Sequence, residues 1–338
     1  MRKNIKVRVM CLVVAGIMLT SSLAFAAVIG SPYETLKNAI FDAMFYDNVT
    51  IEGQVSVVFN GEVLESERIH MVVGDTGTIE YYYLDGSPDG GFSYSGDGIR
   101  IGRSYISDDG TQWYNAWVSN SYSSGPLSMG MFGLMSREER STARFRFMEI
   151  LLDLAVGDLK NNMTMSTNDG IRSVSGTVTH NQLPELVRVG LDVLIEENQR
   201  WYDGDFGSRA DFHHPMHIPI RNLTFNRIHG NSDIDADGNL LYLSGNVDVT
   251  IENVFGDINA IEFIFEVNFS DIGTSHVQNP IPDAAELLTP EFMERRFGTT
   301  GHSINVYFTL NDDGSINEES LTTMWPGQRD WDWQRDWQ

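Results

Sequence analysis

A stretch of strict two-residue alternation, residues 240–270, most constrains how this chain can fold. Its first half places apolar side chains at alternating positions: Leu241, Leu243, Val247, Val249 and Ile251. After a turn at Gly256 and Asp257 the pattern resumes with Ile261, Phe263, Phe265, Val267 and Phe269. Alternation of this length predicts two long antiparallel strands with one apolar and one polar face. Helices, a second sheet or a ligand must cover the apolar face.

The first 26 residues have the layout of a secretory signal peptide. Four basic residues precede an apolar run over residues 9–19, and Ala24-Phe25-Ala26 fits a small-x-small cleavage site. An uncleaved anchor is the alternative, but the apolar run is shorter than the ~20 residues that span a bilayer. We therefore expect an exported protein, extracellular or in the cell envelope, with no transmembrane segment after cleavage.

Cysteine usage and charge narrow the classes of function. The sole cysteine, Cys11, lies inside the predicted signal peptide, so the mature chain is expected to have no disulfide and no thiol nucleophile. Removal of the signal leaves 19 basic against 47 acidic residues, a formal net charge of −28. Such a charge disfavours nucleic acid and anionic membrane surfaces as partners.

Three segments carry apolar residues at helical spacing. The first helix is predicted to begin at Pro32 and to end near Asn48. The second helix begins with a capping box at Ser136 and ends near Gly157. The third helix covers residues 184–198. Between the helices, short strands are joined by turn signals such as Asn60-Gly61 and Asn168-Asp169-Gly170.

The order of these elements predicts an α+β fold with a long antiparallel sheet, because tight turns rather than helical crossovers join the strands. The predicted organisation is a signal peptide at residues 1–26, one domain at 27–285 and a C-terminal extension at 286–338. The extension contains a short helix at residues 290–297 and a strand at 303–310. Its tryptophan-rich end is predicted to be disordered.

The element order and the end of the sheet resemble the LolA/LppX-like half-barrel proteins of bacterial envelopes. The hairpin of residues 240–269 runs into Ser270-Asp271-Ile272-Gly273 and then Pro280, which is similar to the final-strand ending of many such proteins. The resemblance covers residues 32–282, although the chain lacks the lipidation cysteine of some members. It implies a long curved antiparallel sheet, a half-barrel, with helices packed on its concave face and an acyl-chain cavity between them.

Apolar residues of the second and third predicted helices and of the last hairpin strand are the candidate cavity lining. They are Met148, Leu151, Leu152, Ala155, Leu191, Leu194, Phe263, Phe265 and Val267. The expected occupant is a hydrophobic small molecule or an acyl chain.

Two further patterns are candidate metal sites. His213, His214 and His217 are dense enough to bind zinc or copper, but Pro215 breaks any helix there and an exposed loop is the favoured interpretation. Residues 233–238 match the first half of a calcium loop, yet Ser244 stands where that loop needs Glu, which favours a hairpin turn.

No nucleophile, P-loop or dinucleotide motif occurs, so we predict no catalytic residue, no cofactor and no enzymatic activity. The favoured hypothesis is a secreted binding protein that holds a lipid or another hydrophobic ligand between sheet and helices. The alternative is an envelope interaction or structural protein with a filled core, acting through its acidic surface or its tryptophan-rich tail. A metal-dependent hydrolase that uses the histidine cluster is the third hypothesis.

Overall fold

A computed structural model describes residues 31–74, 76–84, 91–96, 99–106, 110–119, 162–183, 220–253, 255–298 and 303–323, with Arg146, Ile150, Asp153, Lys160 and Val189. The predicted signal peptide, the histidines His213, His214 and His217, and the tryptophan-rich tail lie outside these residues.

Strands dominate the described part of the chain. They are β1 (Val49–Phe59), β2 (Glu62–Gly74), β3 (Gly77–Leu84), β4 (Gly91–Gly96), β5 (Ile99–Ile106), β6 (Gln112–Ser119), β7 (Met163–Asn168), β8 (Ile171–Thr179), β9 (Ile220–Ile234), β10 (Leu240–Asn253), β11 (Ile258–Ser270) and β12 (Ser303–Phe308). These twelve strands form one open antiparallel sheet in the order β12-β6-β5-β4-β3-β2-β1-β11-β10-β9-β8-β7. The predicted long antiparallel sheet is confirmed.

Residues that tolerate positive φ join neighbouring strands. Asn60 and Gly61 have φ values of 50° and 87°, and Asp169 and Gly170 have values of 49° and 82°. Two consecutive left-handed residues are what a type I′ hairpin turn requires. The hairpins predicted at both pairs are confirmed.

The described residues include three complete α-helices, α1 (Pro32–Ala43), α2 (Pro282–Leu287) and α3 (Pro290–Phe297). The Ser31 hydroxyl accepts a hydrogen bond from the backbone N–H of Glu34 at 3.2 Å and so caps the start of α1. Thr289 caps α3 in the same way, and Gly298, with φ 67°, ends it.

Helical residues also occur where the sequence predicts the second and third helices. Arg146, Ile150 and Asp153 fall in the second predicted helix and Val189 in the third, and each is helical.

The chain divides into two compact units. The first comprises Met1–Phe45, Glu52–Arg68 and Arg137–Ser270, and the second comprises Tyr46–Ile51, Ile69–Ser136 and Asp271–Gln338. The boundaries predicted from the sequence, 27–285 and 286–338, stay a prediction.

In the first unit, α1 contacts strands β7, β8, β9 and β10. Its buried apolar residues are Tyr33, Leu36, Ala39, Ile40 and Ala43, and they recur at helical spacing. A helix with one apolar face buries that face against its neighbours. The core of this unit therefore lies between α1 and the apolar face of these strands.

Strand β10 shows where simple alternation fails. From Leu243 to Asn253, every odd-numbered residue is buried and every even-numbered residue is half-buried. At the start of the strand, however, the pairing with β9 shifts register between Leu240 and Tyr242, and Leu240 is buried where alternation assigns Leu241. One extra residue in a strand moves its neighbours to the other face.

The second unit has its own core. Strand β12 pairs with β6 so that Val306 lies opposite Ala116, and β5 pairs with β6 so that Ile101 lies opposite Ala116. These side chains form one buried cluster with Leu288 and Met293 of the C-terminal helical segment. The helix and strand predicted after residue 286 thus pack on strands β3 to β6.

Candidate functional site

The apolar face of the first unit is built from cross-strand rows of side chains. In one row, Val178 lies opposite Ile228, Ile228 opposite Val247, and Val247 opposite Phe263. In a second row, Val174 lies opposite Ser232, Ser232 opposite Leu243, and Leu243 opposite Val267. Because partners in an antiparallel sheet project to the same side, each row forms a ridge across the strands.

Between these two rows lies a row of glycines, here called the glycine trough (Gly176, Gly230 and Gly245). Gly176 of β8 pairs with Gly230 of β9, which pairs with Gly245 of β10. Glycine in a strand interior marks a place where another group approaches the backbone closely. The trough is therefore a straight row of three buried positions without side chains, between two rows that are mainly apolar.

Phe265 of β11 lies at one end of the trough, since it pairs with Gly245. A Cβ atom added to Gly245 would lie only 2.4 Å from Cε1 of the Phe265 ring. The ring therefore lies over Gly245 and fills the space of the missing side chain.

The candidate residues on β11 occupy this apolar face together. Phe265 and Val267 are buried, whereas Phe263 is only half-buried. The other candidates, Met148, Leu151, Leu152, Ala155, Leu191 and Leu194, lie outside the described residues.

Asp153 links the second predicted helix to α1. Its Oδ1 atom accepts a hydrogen bond from the Tyr33 hydroxyl at 2.6 Å and lies 3.3 Å from Nζ of Lys37. Lys37 is 5% exposed and also lies 3.2 Å from Oε2 of Glu34. A buried lysine between two carboxylates thus anchors a helical residue whose sequence neighbours are the candidates Leu151, Leu152 and Ala155.

The charge of this anchor is fixed. Burial acts to lower the pKa of Lys37, but hydrogen bonds and the charges of Glu34 and Asp153 outweigh it and raise that pKa. The amine therefore stays protonated, which suits a structural cation rather than a general base.

The aspartate-rich connection between β9 and β10 is a turn held by side-chain hydrogen bonds. Asn239 donates from its backbone N to Oδ1 and from Nδ2 to Oδ2 of Asp235, both at 2.8 Å. Burial acts to raise the pKa of Asp235, but hydrogen bonds from Asn239, Asp237 and Gly238 hold it below its ordinary value. The geometry supports the hairpin interpretation of this calcium-like motif.

Two hairpin ends of the first unit present apolar side chains to solvent. Phe255 in the β10–β11 turn and Ile258 at the start of β11 are 74% and 73% exposed, and Val63 after the Asn60-Gly61 turn is also exposed. Buried Asn253 braces the first turn, since its Oδ1 accepts from the backbone N of Phe255 at 2.9 Å and of Asp257 at 2.8 Å. Asn60 joins the two ends by donating from its backbone N to the carbonyl of Ala260 at 2.8 Å.

The described residues contain neither a metal-binding cluster nor a membrane-spanning helix. No group of three or more His, Cys, Asp or Glu side chains there is arranged to hold a metal ion. Among the helices described, none has the length and apolar character needed to cross a membrane.

Sequence reasoning missed the glycine trough and the Lys37 anchor. Isolated glycines in strand patterns do signal close approach of another group, but only the register shows that these three lie side by side. For the anchor, the available signal was a lysine four residues after Tyr33 on the apolar stripe of α1.

Known structures include two that are similar to this chain. A LolA superfamily protein from Nitrosomonas europaea is 11% identical with a TM-score of 0.18, covering 78% of this chain and 100% of its own. A DUF1329 family protein from Desulfovibrio piger is 11% identical with a TM-score of 0.18, covering 76% of this chain and 97% of its own. No protein-family model and no curated protein matches the sequence. The first of these structures belongs to the superfamily that the sequence resembles.

Proposed function

We propose that this chain is an exported, non-enzymatic binding protein that holds an acyl chain or another hydrophobic ligand between its sheet and its helices. The glycine trough is the observation that carries the proposal. It is a straight row of positions without side chains between two mainly apolar rows, and its shape and chemistry match those of an extended hydrocarbon chain. Each methylene that leaves water for such a surface contributes about 0.8 kcal/mol.

Unsatisfied apolar surface around the trough supports a ligand rather than a filled core. Phe263, at the end of one ridge, is only half-buried. A core completed by the helices alone would be expected to bury this ring.

In this proposal the sheet curves into a half-barrel and the two predicted helices pack on its concave face. Met148, Leu151, Leu152, Ala155, Leu191 and Leu194 then face the trough and line the cavity with Phe263, Phe265 and Val267. The Asp153 anchor supports this arrangement, because it holds one of these helices against α1, which itself contacts strands β7 to β10.

Native mass spectrometry of protein purified from an expression host tests the proposal. We expect a bound mass that organic extraction releases and identifies as a fatty acid or phospholipid. A protein that carries no adduct, and gains none after incubation with palmitate, would refute the proposed function.

A second candidate, an envelope interaction protein, rests on the exposed apolar hairpin ends. Phe255 and Ile258 stay in solvent although hydrophobic exposure is costly, which is typical of residues that anchor in a partner's pocket. Crosslinking in envelope extracts, with wild type beside the double variant Phe255→Ser/Ile258→Thr, tests this function. Loss of one defined crosslinked partner in the variant supports it, and identical crosslinked products refute it.

A further inference from the structure

A cavity of about 380 Å³ lies on the polar face of strands β7 to β10. Its volume falls within the range of roughly 300–1,000 Å³ of small-molecule sites. The face is the opposite one from the glycine trough, because its residues have the other parity along each strand: Ser173 and Ser175 flank Val174, and Asn231 and Asp233 flank Ser232. This cavity is therefore separate from the proposed hydrophobic site.

Strand register assembles the cavity from two polar rows. In the first, Ser166 lies opposite Ser173, Ser173 opposite Asp233, and Asp233 opposite Tyr242. In the second, Thr164 lies opposite Ser175, and Ser175 opposite Asn231. Four strands thus contribute hydroxyl, amide, carboxylate and phenol groups to one surface.

Hydrogen bonds within the rows hold these groups in place. The Ser173 hydroxyl donates to Oδ1 of Asp233 at 2.6 Å, and the hydroxyls of Thr164 and Ser175 lie 3.0 Å apart. A hydroxyl that donates one hydrogen bond keeps lone pairs that accept others, and a carboxylate accepts several. The cavity therefore offers positioned acceptors to a ligand rich in O–H donors.

The lining also excludes other ligand classes. It contains no Lys, Arg or His, so an anion would find no countercharge. A single carboxylate, Asp233, is too few for a divalent cation, which takes several oxygen ligands. Hydroxyl and amide groups predominate over apolar side chains, so a lipid tail is disfavoured as well.

We propose that this cavity binds a neutral oligosaccharide. Asp233 and Asn231 hydrogen-bond the sugar hydroxyls, and the serine and threonine hydroxyls add further donors and acceptors. Tyr242 also lines the cavity, and its aromatic ring supplies a surface against which the C–H groups of a sugar ring pack. The inference goes beyond the proposed lipid binding and does not depend on it.

Isothermal titration calorimetry with maltotriose, cellotriose and chitotriose, and with trigalacturonate as an anionic probe, tests this proposal. We expect at least one neutral trisaccharide to bind at a single site. The double variant Ser173→Ala/Asp233→Asn should lower its affinity at least about tenfold, since hydrogen bonds to a charged group are the stronger kind. Thr250→Val is the matched control. Thr250 lies on the same polar face of β10, and neither it nor Asn226, from which its hydroxyl accepts a hydrogen bond, lines the cavity, so the variant should leave affinity within about twofold.

Each other outcome decides against the proposal. Binding of trigalacturonate alone, binding of no trisaccharide at millimolar concentration, or equal affinity in wild type and the double variant would overturn it. Circular dichroism establishes that the variants fold. If the Ser173→Ala/Asp233→Asn variant does not fold, Tyr242→Ser tests the same site. An affinity for the trisaccharide equal to that of wild type in this variant would also overturn the proposal.

Discussion

Glu80 is a buried carboxyl whose environment favours its neutral form. It is 9% exposed on β3, and burial raises its pKa from 4.5 to about 7, against the opposing charge of Arg100. A carboxyl with a raised pKa binds its proton more tightly in the folded chain than in the unfolded chain. Its contribution to stability is therefore complete below pH 4.5 and is lost as the pH rises through about 7.

The variant Glu80→Gln tests this pH dependence. We expect wild type to lose on the order of 1–3 kcal/mol relative to the variant between pH 5 and pH 8, because only wild type must ionise a buried group. Urea unfolding followed by tryptophan fluorescence at both pH values measures the difference. If the difference in unfolding free energy between wild type and Glu80→Gln is the same at pH 5 and pH 8, the raised pKa of Glu80 is contradicted.

The Lys37 anchor makes a second prediction at the scale of single residues. Lys37→Met leaves Glu34 and Asp153 without their shared cation, so we expect a loss of about 3 kcal/mol in the free energy of unfolding. Arg221→Met is the control: it breaks the more exposed pair with Glu252, whose N–O distance is also 3.2 Å, and should cost less than about 1 kcal/mol. Equal losses in urea titrations of the two variants would show that Lys37 is not an anchor.

Among the structural elements, strand β10 depends on the contact between Gly245 and Phe265. An alanine at Gly245 places its methyl group against the Phe265 ring, so Gly245→Ala is expected to cost about 1–3 kcal/mol. Adding Phe265→Leu removes the ring that clashes, and the double variant should recover part of the loss. A double-mutant cycle from thermal unfolding measures the coupling energy between Gly245 and Phe265. If the effects of the two substitutions on stability simply add, the Phe265 ring does not lie over Gly245.

The hairpins are the elements that sequence reasoning predicts best. Asn60-Gly61 and Asp169-Gly170 act locally, because the φ values they require depend on the two residues themselves. The bulge at the start of β10 was not predictable in the same way. It depends on how β9 and β10 pair around Leu240 and Tyr242, and that pairing cannot be predicted from the sequence of either strand alone.

At the scale of the whole molecule, local sequence patterns do not predict which distant strands pair with each other. The sequence predicts a strand near residue 303 but not its pairing with β6, since that pairing joins segments far apart in the chain. The same holds for the candidate site. Phe263, Phe265 and Val267 follow from alternation, whereas the glycine trough and the polar cavity exist only once β8, β9 and β10 are in register.

Binding of cis-parinaric acid, a fluorescent fatty acid, tests the central claim that the glycine trough holds an acyl chain. We predict that delipidated wild type binds one equivalent at low micromolar concentration and that palmitate displaces it. Gly176→Val should weaken binding at least about tenfold, because its side chain occupies the trough. Ser175→Val, the adjacent residue on the opposite face, should leave it unchanged. No binding by wild type, or equal binding by the two variants, would contradict this account.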